Sequence, residues 1–137
     1  MSKNILLGIT GSVAASKSEI LFGKVSKNNN VKIITTDAGS KYLTSAFLKN
    51  NEIISSWDDL QGSPHIELAR WAEVFLIYPA TANFISKMAM GIADDLLLST
   101  VLMYNDPIYL APAMHEEMYL NPIIQKNILE LSKNNIV

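Results

Sequence analysis

A parallel α/β domain is the fold class this sequence predicts, and three observations predict it. Continuous apolar runs at 5–9 and 74–78 have the length of strands covered on both faces, as parallel strands are, and 31–35 reads as a further strand. Segments with helical spacing alternate with those runs. Each run also empties into small and hydroxyl residues before the next helix: Thr10-Gly11-Ser12, Thr35-Thr36, and Pro79-Ala80-Thr81-Ala82-Asn83. Open α/β sheets place ligands outside the carboxyl ends of their strands, so the run that empties into Pro79 to Asn83 marks the candidate site.

The first run leads through Gly11-Ser12-Val13-Ala14-Ala15 into a helical pattern that lasts to about Lys27. Gly11 permits a tight turn and a close approach. Ser12 can cap the helix or donate its hydroxyl to an anion, and the helix start offers free N–H groups to a phosphate. An ordinary capped turn would use the same residues. Asn28-Asn29-Asn30 breaks the helix and the second strand follows, which makes a β-α-β unit with a right-handed crossover. The spacing Gly8-x-x-Gly11 lacks the three-glycine dinucleotide fingerprint, and Thr35-Thr36 stands where an acidic residue would end the second strand. Nicotinamide dinucleotides are therefore disfavoured.

The segment 38–49 reads as one helix with Tyr42, Leu43, Ala46 and Phe47 on its inner side, and Phe47 could border a pocket. A loop spans 50–62, where Trp57 is either a subunit contact or buried under the loop. The stretch 63–83, SPHIELARWAEVFLIYPATAN, organises the rest. In it His65 precedes a helix packed through Ile66, Ala69 and Ala72, and Glu67 and Arg70 stand at ion-pair spacing. Pro79 ends the third long strand, Ala80 and Ala82 keep space open, and Thr81 and Asn83 supply polar reach. Asn83 either caps the next helix, 84–90, or bonds a ligand. Of the adjacent Asp94 and Asp95, Asp95 fits a helix cap better than either fits a metal site. A short strand at 107–110 opens into Ala111-Pro112-Ala113-Met114-His115-Glu116-Glu117-Met118-Tyr119, and Pro122 starts a last helix. Ile136-Val137 resembles the first residues of another strand.

Bulk properties bound the function. The chain has 137 residues, 49% of them hydrophobic, enough for one domain with a real core. The net charge of −2 supplies no basic field for nucleic acid or an anionic membrane. With no cysteine, disulfides and thiolate metal sites are excluded, and no metal site is expected. The amino-terminal MSKNILLGITGS reads as a first strand rather than a signal peptide, and no apolar run approaches the roughly 18 residues of a membrane span. A cytoplasmic location is expected.

Four stretches, taken together and in order, resemble the flavin-dependent cysteine decarboxylases, in particular their phosphopantothenoylcysteine decarboxylase branch. They are Gly11-Ser12-Val13-Ala14-Ala15, His65-Ile66-Glu67-Leu68-Ala69-Arg70-Trp71-Ala72, Pro79-Ala80-Thr81-Ala82-Asn83, and Pro112-Ala113-Met114-His115-Glu116-Glu117-Met118-Tyr119. The resemblance runs nearly end to end. It implies a three-layer α-β-α sandwich of Rossmann or flavodoxin type, a single flavin-binding domain over 1–137, and FMN as cofactor. It also implies assembly as a homotrimer or a dodecamer, with the flavin at a subunit boundary. By position, Gly11, Ser12 and Val13 would line the phosphate and ribityl side, with Thr35 and Thr36 nearby. Pro79, Ala80, Thr81, Ala82 and Asn83 would run along the isoalloxazine ring. His65 would be the catalytic histidine, facing a neighbouring subunit's flavin. Met114, His115 and Met118 would contact the substrate, with Asn83 and His115 holding its carboxylate.

The implied reaction is decarboxylation of 4′-phosphopantothenoylcysteine to 4′-phosphopantetheine. A peptidyl-cysteine decarboxylase and a non-catalytic FMN-binding regulatory subunit are the alternatives. Two departures stand out. His115 occupies a position that is asparagine in many members, and an imidazole can also donate to a carboxylate. The family's substrate-covering flap, with its proton-donating cysteine, would lie beyond residue 137. The chain is thus expected to be either a piece or naturally short, and to complete the reductive half-reaction poorly.

Overall fold

The computed structural model describes residues 2–59 and 61–137. Five strands, β1 (Asn4–Ile9), β2 (Asn30–Thr35), β3 (Ile53–Ile54), β4 (Val74–Ala80) and β5 (Ile108–Pro112), form one sheet in the order β3-β2-β1-β4-β5. Every pairing is parallel. Set the two-residue β3 aside and the longer strands run β2-β1-β4-β5, the doubly wound order of flavodoxin-like sheets. The chain winds outward from β1 through β2 to β3, then returns to β4 on the other flank of β1. That reversal opens a crevice between the carboxyl ends of β1 and β4.

Strand residues alternate between two cores, which is why the runs are apolar throughout rather than half polar. Leu6, Ile34, Phe75 and Ile77 face one core, covered by α4 (Pro64–Trp71), α5 (Ala82–Met90), α6 (Leu96–Met103) and α8 (Pro122–Ser132). Leu7, Ile9 and Ile33 face the other, together with Ala15 of α1 (Ala15–Val25) and Phe47 of α3 (Ser45–Asn50). This is the expected three-layer sandwich. At the β5 edge, Val137 donates its N–H to Ile108 O at 2.8 Å and Leu110 donates to Val137 O at 2.9 Å. Ile136 thus forms an isolated parallel bridge with Ile108, at the position the sequence reads as strand-like.

Some expectations fail locally. The single helix over 38–49 is two helices, α2 (Asp37–Ser40) and α3. Each has its own threonine cap: Thr36 Oγ1 accepts from Gly39 N–H and Thr44 Oγ1 accepts from Phe47 N–H. Glu19 of α1 holds the break, accepting from Thr44 N–H at 2.8 Å and Thr44 Oγ1 at 2.9 Å. The break turns Tyr42 and Ala46 outward while Leu43 and Phe47 stay buried. Phe47 packs edge-on against Phe22 in the core and borders no cavity. Glu67 and Arg70 form no ion pair among the described residues, where the pairs are Lys3–Glu73 and Lys87–Asp94.

Candidate functional site

Thr10, the residue after β1, ties the crevice together. Its hydroxyl donates to Pro79 O at 2.7 Å and accepts from Thr81 N–H at 3.0 Å, and its own N–H also reaches Pro79 O. The group is buried, so losing it would strand partners away from water. Thr81, freed from strand pairing, turns its hydroxyl to Phe84 N–H and caps α5. Threonine at 81 therefore does the capping that Asn83 could have done. Asn83 is the second residue of α5, exposed, with its amide unpartnered among the described residues. β4 runs through Pro79 to Ala80, one residue past the expected end.

Next to Thr10 the chain makes its closest approaches. A Cβ on Gly11 would lie 2.5 Å from Ala38 Cβ, and one on Gly39 would lie 2.2 Å from Ile9 O. Only glycine lets the α2 turn seat on the end of β1. Ser12 Oγ accepts from Ala14 N–H at 3.1 Å, so its hydroxyl organises the turn into α1. The N–H groups of Gly11 and Val13 have no protein partner among the described residues. Such donors at a helix entry suit an anion.

A cavity of about 580 Å³ opens over these turns, within the range of small-ligand sites. Thr10, Gly11, Thr36, Thr81 and Asn83 line it, together with Asp37, Ala38, Trp57, Phe84 and Lys87. Asp94 and Asp95 line it as well. Lys87 Nζ lies 2.7 Å from Asp94, a bond that holds the amine above its ordinary pKa. Asp95 caps α6 by accepting from Leu98 N–H at 2.7 Å, as expected. Burial pushes its carboxyl above the usual carboxylate range, and the cap hydrogen bond opposes this only in part. Three carboxylates, Asp37, Asp94 and Asp95, thus share the cavity lining with one amine, Lys87, which is paired to Asp94.

The expected site residues divide into three groups. Gly11, Thr36, Thr81 and Asn83 come together on the cavity. Ser12, Val13, Thr35, Pro79, Ala80 and Ala82 flank it without lining it. Val13 is 80% exposed, Thr35 is buried with its hydroxyl unpartnered, and Ala80 and Ala82 are core. The third group stands apart. His65 lies in the first turn of α4 and packs edge-on against Trp57, ring centroids 4.8 Å apart, a contact worth about 1 kcal/mol. Its Nδ1 is buried without a partner among the described residues. Met114 packs on the core below β5. His115 is exposed at the start of α7 (Glu116–Tyr119), and Met118 is 47% exposed. Ala113 N–H donates to Ala80 O at 2.9 Å and brings this segment to the end of β4.

Sequence reasoning missed Thr10, Asp37 and Lys87 as wall residues. Thr10 had a signal: a hydroxyl residue directly after a buried strand, like Thr36 and Thr81. Lys87 had none, since only the packing of α5 beside the start of α6 turns it inward.

A doubly wound sheet with a cavity at its switch point defines a nucleotide-type ligand-binding α/β domain. The chain belongs to the Flavoprotein family, whose model matches residues 1–137. It is 41% identical to the coenzyme A biosynthesis bifunctional protein CoaBC of Borreliella burgdorferi, over 98% of this chain and 36% of that protein. It therefore spans about a third of the length of such bifunctional relatives. It is 39% identical to a probable phosphopantothenoylcysteine decarboxylase of Streptococcus mutans, over 97% of this chain and 79% of that one. Among solved structures it resembles a mutant PPC decarboxylase complexed with pantothenoylaminoethenethiol, with a TM-score of 0.91 and 29% identity, covering 100% of this chain and 81% of that one. It resembles the FMN-binding protein AtHal3 with a TM-score of 0.91 and 28% identity, covering 100% of this chain and 80% of that one.

Proposed function

We propose that this chain binds FMN in the cavity between the ends of β1 and β4 and catalyses decarboxylation of 4′-phosphopantothenoylcysteine, a step of coenzyme A biosynthesis. The observation that carries this reading is the meeting of Gly11, Thr36, Thr81 and Asn83, drawn from three separate motifs, on one cavity. The relatives named above support the same cofactor and substrate. The cavity fits the cofactor in size, and the free N–H groups of Gly11 and Val13 fit its phosphate. Pro79, Ala80, Thr81 and Ala82 would flank the ring, with Asn83 reaching its polar edge or the substrate. When bound, FMN supplies the two-electron acceptor that converts the cysteine thiol side to a thioaldehyde, the sink a carboxylate needs before CO2 leaves.

The chain's own residues would do the rest. His65 would stand at the substrate thiol and take its proton. Asn83 and His115 would hold the carboxylate, with Met114 and Met118 bordering the substrate. His65 does not line the cavity of its own chain, as a site completed across a subunit boundary requires. We therefore propose a homotrimer or a dodecamer, measurable by light scattering. No helix among the described residues is long and apolar enough to cross a membrane, which agrees with a cytoplasmic enzyme.

The test is direct. Purified protein should be yellow, release FMN on denaturation, and liberate CO2 from phosphopantothenoylcysteine. Exchange of His65→Asn should keep the FMN and lower CO2 release by about 10²- to 10⁴-fold. Protein that takes up no FMN would end the proposal. Turnover of a cysteine-terminated peptide but not of phosphopantothenoylcysteine would move the substrate to the peptidyl class.

A further inference from the structure

We propose that Trp57 is the positioning residue for His65, its indole being a wall shared by the cavity and the imidazole. The inference rests on the functional reading above and deepens it. A working histidine is usually oriented by a hydrogen bond at its second ring nitrogen. Here Nδ1 of His65 is buried without any such bond among the described residues. Packing must then set the plane of the ring, and the aromatic ring packed on it is Trp57, at 4.8 Å and 71°. The same indole lines the cavity, whereas His65 does not. Trp57 opens a single 3-10 turn, Trp57–Asp59, that follows the two-residue β3, and Ser56 Oγ caps this turn by accepting from Asp58 N–H.

Cavity and imidazole thus meet through one side chain on a short, locally capped turn. A ligand that presses on the indole from the cavity side changes the surface against which the imidazole rests. This holds whether His65 works at its own chain's cofactor or at a neighbouring copy's. Displacing a proton-transfer group by about 1 Å costs on the order of a hundredfold in rate. The sequence alone offered Trp57 only as a subunit contact or as buried packing. The structure assigns it both an aromatic partner and a share of the cavity wall.

Two measurements test this. The chain has two tryptophans, so Trp71→Phe leaves Trp57 as its sole indole. Protonated imidazole quenches a neighbouring indole. Emission of this variant should therefore be weaker in acidic than in neutral buffer, and the difference should vanish when His65→Asn is added. Addition of FMN should change the same emission. In the FMN-loaded enzyme, Trp57→Phe should retain the pH profile of kcat. Trp57→Ala should keep FMN and KM, lose about ten- to a hundredfold in kcat, and displace the pH midpoint. An emission indifferent to His65, or a Trp57→Ala enzyme with unaltered rate and pH midpoint, overturns the inference. If Trp57→Ala does not fold, the emission titration decides, since it leaves residue 57 intact. Failure of the functional reading looks different: the protein takes up no FMN, yet the pH-dependent quenching, measured without FMN, still reports the contact.

Discussion

The ends of β1 and β4 and the segment after β5 share one edge of the sheet, yet they are built in opposite ways. At β1 and β4 the hydroxyls of Thr10, Thr36 and Thr81 are all committed. Thr10 spans both strands, Thr36 and Thr81 cap helices, and Gly11 and Gly39 admit backbone at distances no side chain would allow. After β5, His115 makes no cap hydrogen bond, Met118 and Tyr119 are half exposed, and only Met114 reaches the core. A preformed wall and a poorly anchored one suggest different work. Under the proposed function, the first would hold the cofactor and the second would meet substrate or another subunit.

Breaking the preformed side should cost most. Exchange of Gly39→Ala pushes a methyl group into Ile9 O, and we expect about 3 kcal/mol lost in urea unfolding together with weakened FMN retention. Thr10→Val keeps the shape but leaves Thr81 N–H without its acceptor. We expect about 1–2 kcal/mol lost, with FMN dissociating faster in an equilibrium dialysis assay.

Asp95 sharpens the contrast through pH. Its folded pKa lies above its unfolded value, so the folded state is favoured at low pH. That contribution is complete below the ordinary carboxylate pKa and disappears as pH rises through the folded value. Asparagine caps a helix as well as aspartate does and carries no charge to desolvate. Asp95→Asn should therefore raise the free energy of urea unfolding at pH 7 by about a few tenths of a kcal/mol, a figure kept small by solvent screening, and leave it unchanged near pH 3. Loss of stability at pH 7 would show that the cap's charge matters more than its burial.

The open side should give the smallest stability effect. His115→Ala should alter unfolding by no more than about 0.5 kcal/mol, because the residue is exposed and uncapped. If it holds a carboxylate, the same change should raise KM about tenfold, as loss of one hydrogen bond to a charged group does. An unchanged KM would remove His115 from the site.

The layout of the elements was open to sequence reasoning because it depends on local regularities. Uninterrupted apolar runs mean two covered faces, Gly91 in a left-handed turn ends α5, Pro122 starts α8, and Asp95 caps α6. Each of these follows from the chemistry of a few neighbouring residues. The split at 41–44 was not legible, because the acceptor that stabilises it, Glu19, lies 25 residues away. The site was legible in the same partial way. Turns after strands are recognisable one at a time, so Gly11, Thr36, Thr81 and Asn83 could be named. That Thr10 joins two of those turns and that Lys87 shares their cavity are facts of long-range packing. Pairings across 69 and 71 residues, like those of Thr10, leave no mark on either neighbourhood. They exist only because the sheet closes β1 against β4 and brings the loop ends into contact.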